Sequence, residues 1–296
     1  MSFFIKRTYN SLTEVIKQIE TKPYNKLFTN YNHYLKRSDA KNFEFTQSES
    51  LVDALNILKA GWKKGKDIIE KLTKEHEDAF VKLFPRQDFD LQLQPEISGE
   101  IVNVEATIMN LPENMLSFHQ DEGKLRKLQS GKLQRIIISG EIPHHIDADT
   151  IFNRGAIISS MINIMELYGF RTELWLCHIR TGFNKNESVQ YFYKIKPFDN
   201  NLDLGLLAFV SAHPSMIRRI NFALLEQEEN DDVINNICRN CYGLCTDLNE
   251  KEIKEFGGDL NYGNIYFEKL SNNKPFVNLL EETKVKIQQH FTSIKI

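Results

Sequence analysis

Arg135-Ile136-Ile137-Ile138-Ser139 is a short apolar run rich in β-branched residues, and Leu174-Trp175-Leu176-Cys177 is a second. Between them lie a polar turn and a stretch, Phe152 to Tyr168, that sets Ile157, Met161, Ile164, Met165 and Tyr168 on one helical face. Gly169 stands where such a helix has to stop. Strand, helix and strand in that order form a crossover unit. They predict an α/β domain with a mainly parallel sheet flanked by helices.

Working outward, Gln190 to Lys196 alternates like a strand, and the short loop before it predicts a hairpin and an antiparallel edge position. Helices are expected over Leu204 to Val210, Pro214 to Leu225 and Asp231 to Leu248, a strand over Asn264 to Leu270, and a closing helix over Phe276 to Phe291. Upstream, residues 1–87 read as a helical N-terminal region. Ser11 followed by Glu14 is a capping-box pattern, and a long helical run through Leu51 and Leu58 is interrupted at Gly61-Trp62. Residues 88–132 read as a connecting segment with short strands. There Leu111-Pro112-Glu113-Asn114-Met115 is expected to turn into a short helix, and Gly123 to Lys132 to form an exposed connector. Residues 133–296 are the α/β domain.

The chain has 296 residues, is 41% hydrophobic and 26% charged, and carries a net charge of −3, which excludes a general polycation. Charge is unevenly placed. Met1 to Glu75 holds 14 Lys/Arg against 9 Asp/Glu, whereas Glu226 to Asp259 holds 10 acidic against 3 basic residues. Four cysteines do not suggest a disulfide framework, and a reducing cytoplasm is the expected compartment. No apolar run approaches the roughly 18 residues of a membrane span.

Several groups of residues could carry chemistry. Cys238, Cys241 and Cys245, with Cys177-His178, offer thiolate and imidazole ligands for zinc. Yet Ile234, Cys238, Cys241, Cys245 and Leu248 also fall on one helical stripe, where cysteine packs as a small hydrophobe; a metal-free stripe is expected. The turn after the first core strand holds Glu141, His144, His145, Asp147 and Asp149, at the strand end where α/β sheets place ligands; with Arg154 these form the expected interaction loop, and the histidines and aspartates could alternatively bind a divalent cation. Helix capping by Asp149 or Thr150 is the simpler explanation there. Arg154, in the first turn of that helix, opposes its dipole and is expected to answer a carboxylate; Gly155 beside it permits close approach. His213 precedes Arg218-Arg219, which could grip a phosphate but more simply pair with carboxylates such as Glu226. Tyr24, Lys26, Phe28, Tyr31, Tyr34, Lys36 and Arg37 interleave rings and cations as single-strand nucleic-acid binders do, although Tyr24, Phe28 and Tyr31 also have the spacing of a core face. Lys59, Lys63, Lys64 and Lys66 around Trp62 add to that basic character. Phosphate-loop, dinucleotide, nucleophile-elbow and zinc-protease motifs do not occur. No cofactor and no metal are expected.

The order strand, helix, strand, antiparallel strand, helices, strand resembles a von Willebrand factor A-type domain. Such domains bind a divalent metal through Asp-x-Ser-x-Ser after the first core strand. Here the position reads Ser139-Gly140-Glu141-Ile142-Pro143, so the resemblance implies the core without its metal motif. Gly61-Trp62 with Gly65, Leu111 to Met115, Asn153-Arg154-Gly155-Ala156, Gly169-Phe170-Arg171-Thr172-Glu173 and Ala212-His213-Pro214 also resemble an uncharacterised domain family common in bacteriophage genomes. That resemblance implies a phage-encoded, non-enzymatic accessory protein in the host cytoplasm or the virion. It would act as a protein-interaction module with phage or host proteins. The alternatives are a single-stranded nucleic-acid-binding cofactor of phage transcription or replication, and a virion structural protein.

Overall fold

The computed structural model describes residues 3–27, 38, 42–84, 92–97, 101–109, 111–119, 132–182, 187–238, 242–257 and 263–293. Residues 1–84 and 133–296 form one compact unit, and residues 85–132 form another.

The larger unit is a mixed α/β fold around a mostly parallel sheet. It begins with a strand, β1 (Phe3–Tyr9), followed by α1 (Leu12–Thr21), α2 (Leu51–Ala60) and α3 (Lys63–Val81). The N-terminal region is therefore not wholly helical. β1 lies parallel to β7 (Glu187–Lys196), from Phe3 opposite Glu187 to Tyr9 opposite Tyr193. A strand whose partner is so distant in sequence leaves little local trace. It also displaces β7 from the edge position that the hairpin predicted: β7 is antiparallel to β6 (Phe170–Thr181), as expected, but β1 covers its other side. Across the sheet the order is β1-β7-β6-β5-β9, with β5 at Lys132–Ser139 and β9 at Asn264–Phe267, the last two parallel.

Local chemistry sets the helix ends. Ser11 Oγ accepts the Glu14 N–H, as the capping box predicts. Ser50 caps α2 in the same way, and Gly61, at φ 76°, breaks the run before α3. The crossover helix α4 (Ala148–Leu167) starts at Asp147, whose Oδ1 accepts the Thr150 N–H at 2.6 Å, and stops before Gly169 at φ 83°. It is buried on nearly every side. Residues 204–226 comprise α5 (Leu204–Ala212), a π-helical turn (Met216–Ile220) and α6 (Asn221–Glu226). α7 (Glu250–Gly257) and α8 (Phe276–Ser293) complete the unit.

Period-2 alternation gives the sheet two apolar faces. Ile136, Ile138, Leu174, Leu176, Val189, Tyr191 and Tyr193 belong to the main core with residues of α4, α5 and α8. Ile137, Trp175, Cys177, Ile179 and Phe192 form a second core with Tyr266, Leu248 and the α7 residues Ile253 and Phe256.

The helix expected over Asp231 to Leu248 is not continuous. Helical turns end at Cys238, Tyr242 and Gly243 adopt φ of 63° and 79°, and Leu244–Cys245 forms β8, paired antiparallel to β6. A left-handed Tyr-Gly pair cannot sit inside a helix, and the 3–4 spacing of the cysteines is not a single helical face. Cys241 lies outside the described residues.

In the smaller unit, β2 (Gln92–Glu96), β3 (Ile101–Val102) and β4 (Met115–His119) form an antiparallel sheet in the order β2-β4-β3. A helical turn, Val104–Ile108, is capped by Asn103. Met115 therefore opens a strand, not the short helix that Leu111-Pro112 suggested. The connector expected at Gly123 to Lys132 falls outside the described residues except for Lys132, which opens β5.

Candidate functional site

At the end of β5 the backbone of Gly140 donates to Cys177 O at 2.8 Å, holding Ser139-Gly140-Glu141 against β6. Glu141 turns inward and has no exposed surface. Its Oε1 lies 2.7 Å from His178 Nδ1 and its Oε2 2.8 Å from Arg180 Nε. Both contacts are at ion-pair distance, although their angles miss those of a hydrogen bond. Alternation along β6 puts His178 and Arg180 on the face of Leu174 and Leu176, which is why two basic side chains point into the main core. Arg180 also stacks against Phe222, with 5.7 Å from guanidinium to ring centroid.

Burial alone would raise the Glu141 pKa, but Arg180 and then His178 outweigh it and hold the carboxyl below its ordinary value. Burial lowers the His178 pKa despite the pull of Glu141. At neutral pH the cluster is thus a carboxylate facing a guanidinium, with a neutral imidazole beside them. It is sealed and self-neutralising. Glu141 is therefore buried against β6 and not displayed on the turn at the strand end.

The other residues of that turn separate. His144 and His145 are exposed, ring against ring at 5.7 Å, and His145 Nε2 lies 3.1 Å from Ser271 O. Asp147 is the helix cap and Asp149 an exposed first-turn acid, so capping falls to Asp147 and not to Asp149 or Thr150. Arg154 makes no ion pair with a carboxylate among the described residues, and Asp247 and Glu268 act on it only from farther off. It donates to the carbonyls of Ser139, Phe267 and Glu268. Gly155 does permit a close approach, to Ser211 and Ala212 of α5.

A second buried polar group gathers around Arg219. Arg219, fully buried, donates to Ser38 O and Ser48 Oγ at 2.7 Å, Ser48 O at 2.8 Å and Thr46 Oγ1 at 3.0 Å. Arg218 stacks on Phe45 and donates to Phe45 O and Ile146 O. The paired arginines thus bind backbone carbonyls and hydroxyls. The Glu226 carboxylate accepts from Ser38 and from the Tyr242 hydroxyl. Glu228 accepts from both Arg7 Nε and Nη2, and from Tyr191.

His213 is packed edge-on to Trp62 and stacked on Phe209, with Nδ1 accepting the Ser215 N–H. Burial lowers its pKa to about 4, against a weaker opposite pull from Asp53. The unfolded chain, with an ordinary histidine near 6.5, binds the proton first. This histidine's contribution is therefore complete above pH 6.5, declines as pH falls, and is lost by about pH 4, a change on the order of 3 kcal/mol. Denaturant titrations across that window should show the decline, with a shallower slope in His213→Phe; an unchanged slope would refute the assignment.

Of the aromatic–basic segment, Tyr24 is half-buried and Lys26 pairs with Asp231 at 3.2 Å, while Phe28, Tyr31, Tyr34, Lys36 and Arg37 lie outside the described residues. Lys59 pairs with Glu20 and Lys66 with Glu70. Burial raises the pKa of Cys177, of Cys238, and of Cys245 to about 12, so all three are thiols at neutral pH. Among the described residues, no three His, Cys, Asp or Glu side chains gather as a metal-ligand set. No helix among them is long and apolar enough to cross a membrane.

A family model described as a domain of unknown function (DUF7192) matches residues 4–291. No curated protein and no solved structure matches the chain.

Proposed function

Since the chain belongs to the DUF7192 family over nearly its whole length, we propose, from its own geometry, that it is a non-enzymatic protein-interaction module in a larger, phage-encoded assembly. One observation carries this reading. The smaller unit exposes Ile97, Val102, Val104, Ile108, Met109 and Leu111, at 77, 52, 64, 79, 69 and 48%. Single exposed apolar residues are ordinary, but six within fifteen positions of one small unit are a surface that favours association. Helical spacing places Val104 and Ile108 on one side of their turn.

The sheet supports a von Willebrand factor A-like core beneath this role. The order β7-β6-β5-β9, with β7 antiparallel to β6, is consistent with it. Where such domains hold a metal after the first core strand, Glu141 faces Arg180. A guanidinium there would do internally what a cation does in a metal-dependent adhesion site. Binding would then not depend on a divalent ion.

Replacing Ile108 and Met109 together by Asp tests the proposal. Exposed positions should leave overall stability within about 0.5 kcal/mol. The expected result is loss of one reciprocal co-purification partner, one that retrieves this chain when itself tagged. An unchanged set of co-purifying proteins in the variant would count decisively against the surface.

A further inference from the structure

The sheet reverses its direction of growth between β5 and β9. From β5 the chain crosses through α4 to β6 on one side, whereas β9 lies on the other. In open α/β sheets, the crevice outside the carboxyl ends of the strands at such a reversal is where ligands bind.

Here the crevice holds Arg154. Its guanidinium spans the two strand ends, with Nη1 donating to Ser139 O after β5 and Nη2 to Phe267 O and Glu268 O after β9. Nε–H and one Nη1–H are left without a protein acceptor among the described residues, and no carboxylate there lies at ion-pair distance. The side chain is nonetheless buried, with only 8% of the residue exposed. Burial lowers its pKa to about 10, so it stays charged at neutral pH. A buried charge whose direct partners are carbonyls, with the Asp247 and Glu268 carboxylates acting only from farther off, is costly, and an anion beside it relieves that cost.

Room for one is present. Arg154 borders a cavity of about 250 Å³ whose other charged lining residues are Lys269, Lys274, Lys286, Glu268 and Glu282. Four cations against two carboxylates leave the lining positive. Lys274 is paired with Glu282 at 2.6 Å, and Lys286 with Glu268. Such rim pairs contribute little to stability, so Lys274 can turn to a ligand cheaply; Lys286 also donates to Tyr266 O at 2.8 Å and would offer its remaining N–H groups.

We propose that this cavity binds a small phosphate-type oxyanion, with Arg154 as its buried floor and Lys274 and Lys286 as its rim. The donor set suits tetrahedral oxygens: single guanidinium N–H groups below and point charges above. The volume accommodates a phosphate or pyrophosphate, and a larger phosphorylated compound would have to project outward. This site is independent of the apolar surface of the smaller unit.

Inorganic phosphate and pyrophosphate are titrated calorimetrically into the full chain at constant ionic strength set with chloride, and thermal melts are recorded alongside. We expect one saturable site per chain and a rise in melting temperature that chloride does not reproduce. In Lys274→Ala/Lys286→Ala, affinity should fall at least tenfold while the ligand-free melting temperature stays within a few degrees. Arg154→Lys, which keeps the charge and loses the remaining guanidinium N–H donors, should weaken binding as well. No saturable binding of either anion at about 1 mM would overturn the proposal. Equal affinity in the wild type and the lysine double variant would overturn it too.

Discussion

Glu141→Gln is expected to cost about 3–5 kcal/mol, because it leaves the Arg180 charge buried without its counter-ion. Both partners are almost wholly buried, with side-chain exposures of 0 and 5%, so water cannot replace the lost carboxylate. At roughly 2–4 °C per kcal/mol, the melting temperature should drop by about 6–20 °C. The double variant Glu141→Gln/Arg180→Met supplies the control. Removing both charges should recover much of the loss, since a buried pair is seldom better than apolar packing of similar volume. A single-variant loss below about 1 kcal/mol, or a double variant as unstable as the sum of its singles, would show that the pair is not coupled as described.

The second large effect lies at Gly155. In an ordinary helix interior, Gly→Ala stabilises by about 1 kcal/mol through backbone entropy. Here a Cβ would overlap the Ser211 carbonyl oxygen and the Ala212 Cα of α5. Those are backbone atoms and cannot rotate away. The two helices would have to part, breaking the contact between the Ser159 and Ser211 hydroxyls, which are 2.6 Å apart. Gly155→Ala should therefore destabilise by about 3 kcal/mol or more, the reverse of the usual sign. Denaturant unfolding of the variant measures it; a neutral or stabilising result would mean that α4 and α5 are farther apart than described.

Much of the α/β core was legible because its signals are local. The crossover helix and the strands on either side were readable from period and from the glycine stop, within a few residues of the observed ends. Ser11 and Gly61 spoke through capping and turn chemistry, which involves only neighbours. β1 did not, because its hydrogen bonds go to β7 far along the chain. The cysteine stripe misled for a related reason: 3–4 spacing counts positions, and the left-handed Tyr242 and Gly243 change direction between them. Part of the buried charge cluster was visible in principle. Extending the alternation of Leu174 and Leu176 by two more steps reaches His178 and Arg180 on the same inward face, which calls for a buried acid nearby. Glu141, at the next strand end, was the available one. The Arg219 group offered no such cue, since its partners are mostly backbone carbonyls and hydroxyls whose positions only the fold fixes.

The parallel pairing of β1 with β7 also sets an order of events in time. Phe3–Tyr9 leaves the ribosome roughly 180 residues ahead of the strand it must join. At synthesis rates of about 5–20 residues per second, it waits roughly 10–40 s as an unpaired segment with Ile5 and Tyr9, which later pack on the core, uncovered. During that interval the hairpin of β6 and β7 does not yet exist. Translation speed and chaperone supply, more than the stability of the finished sheet, would then govern how much of this protein a cell recovers folded.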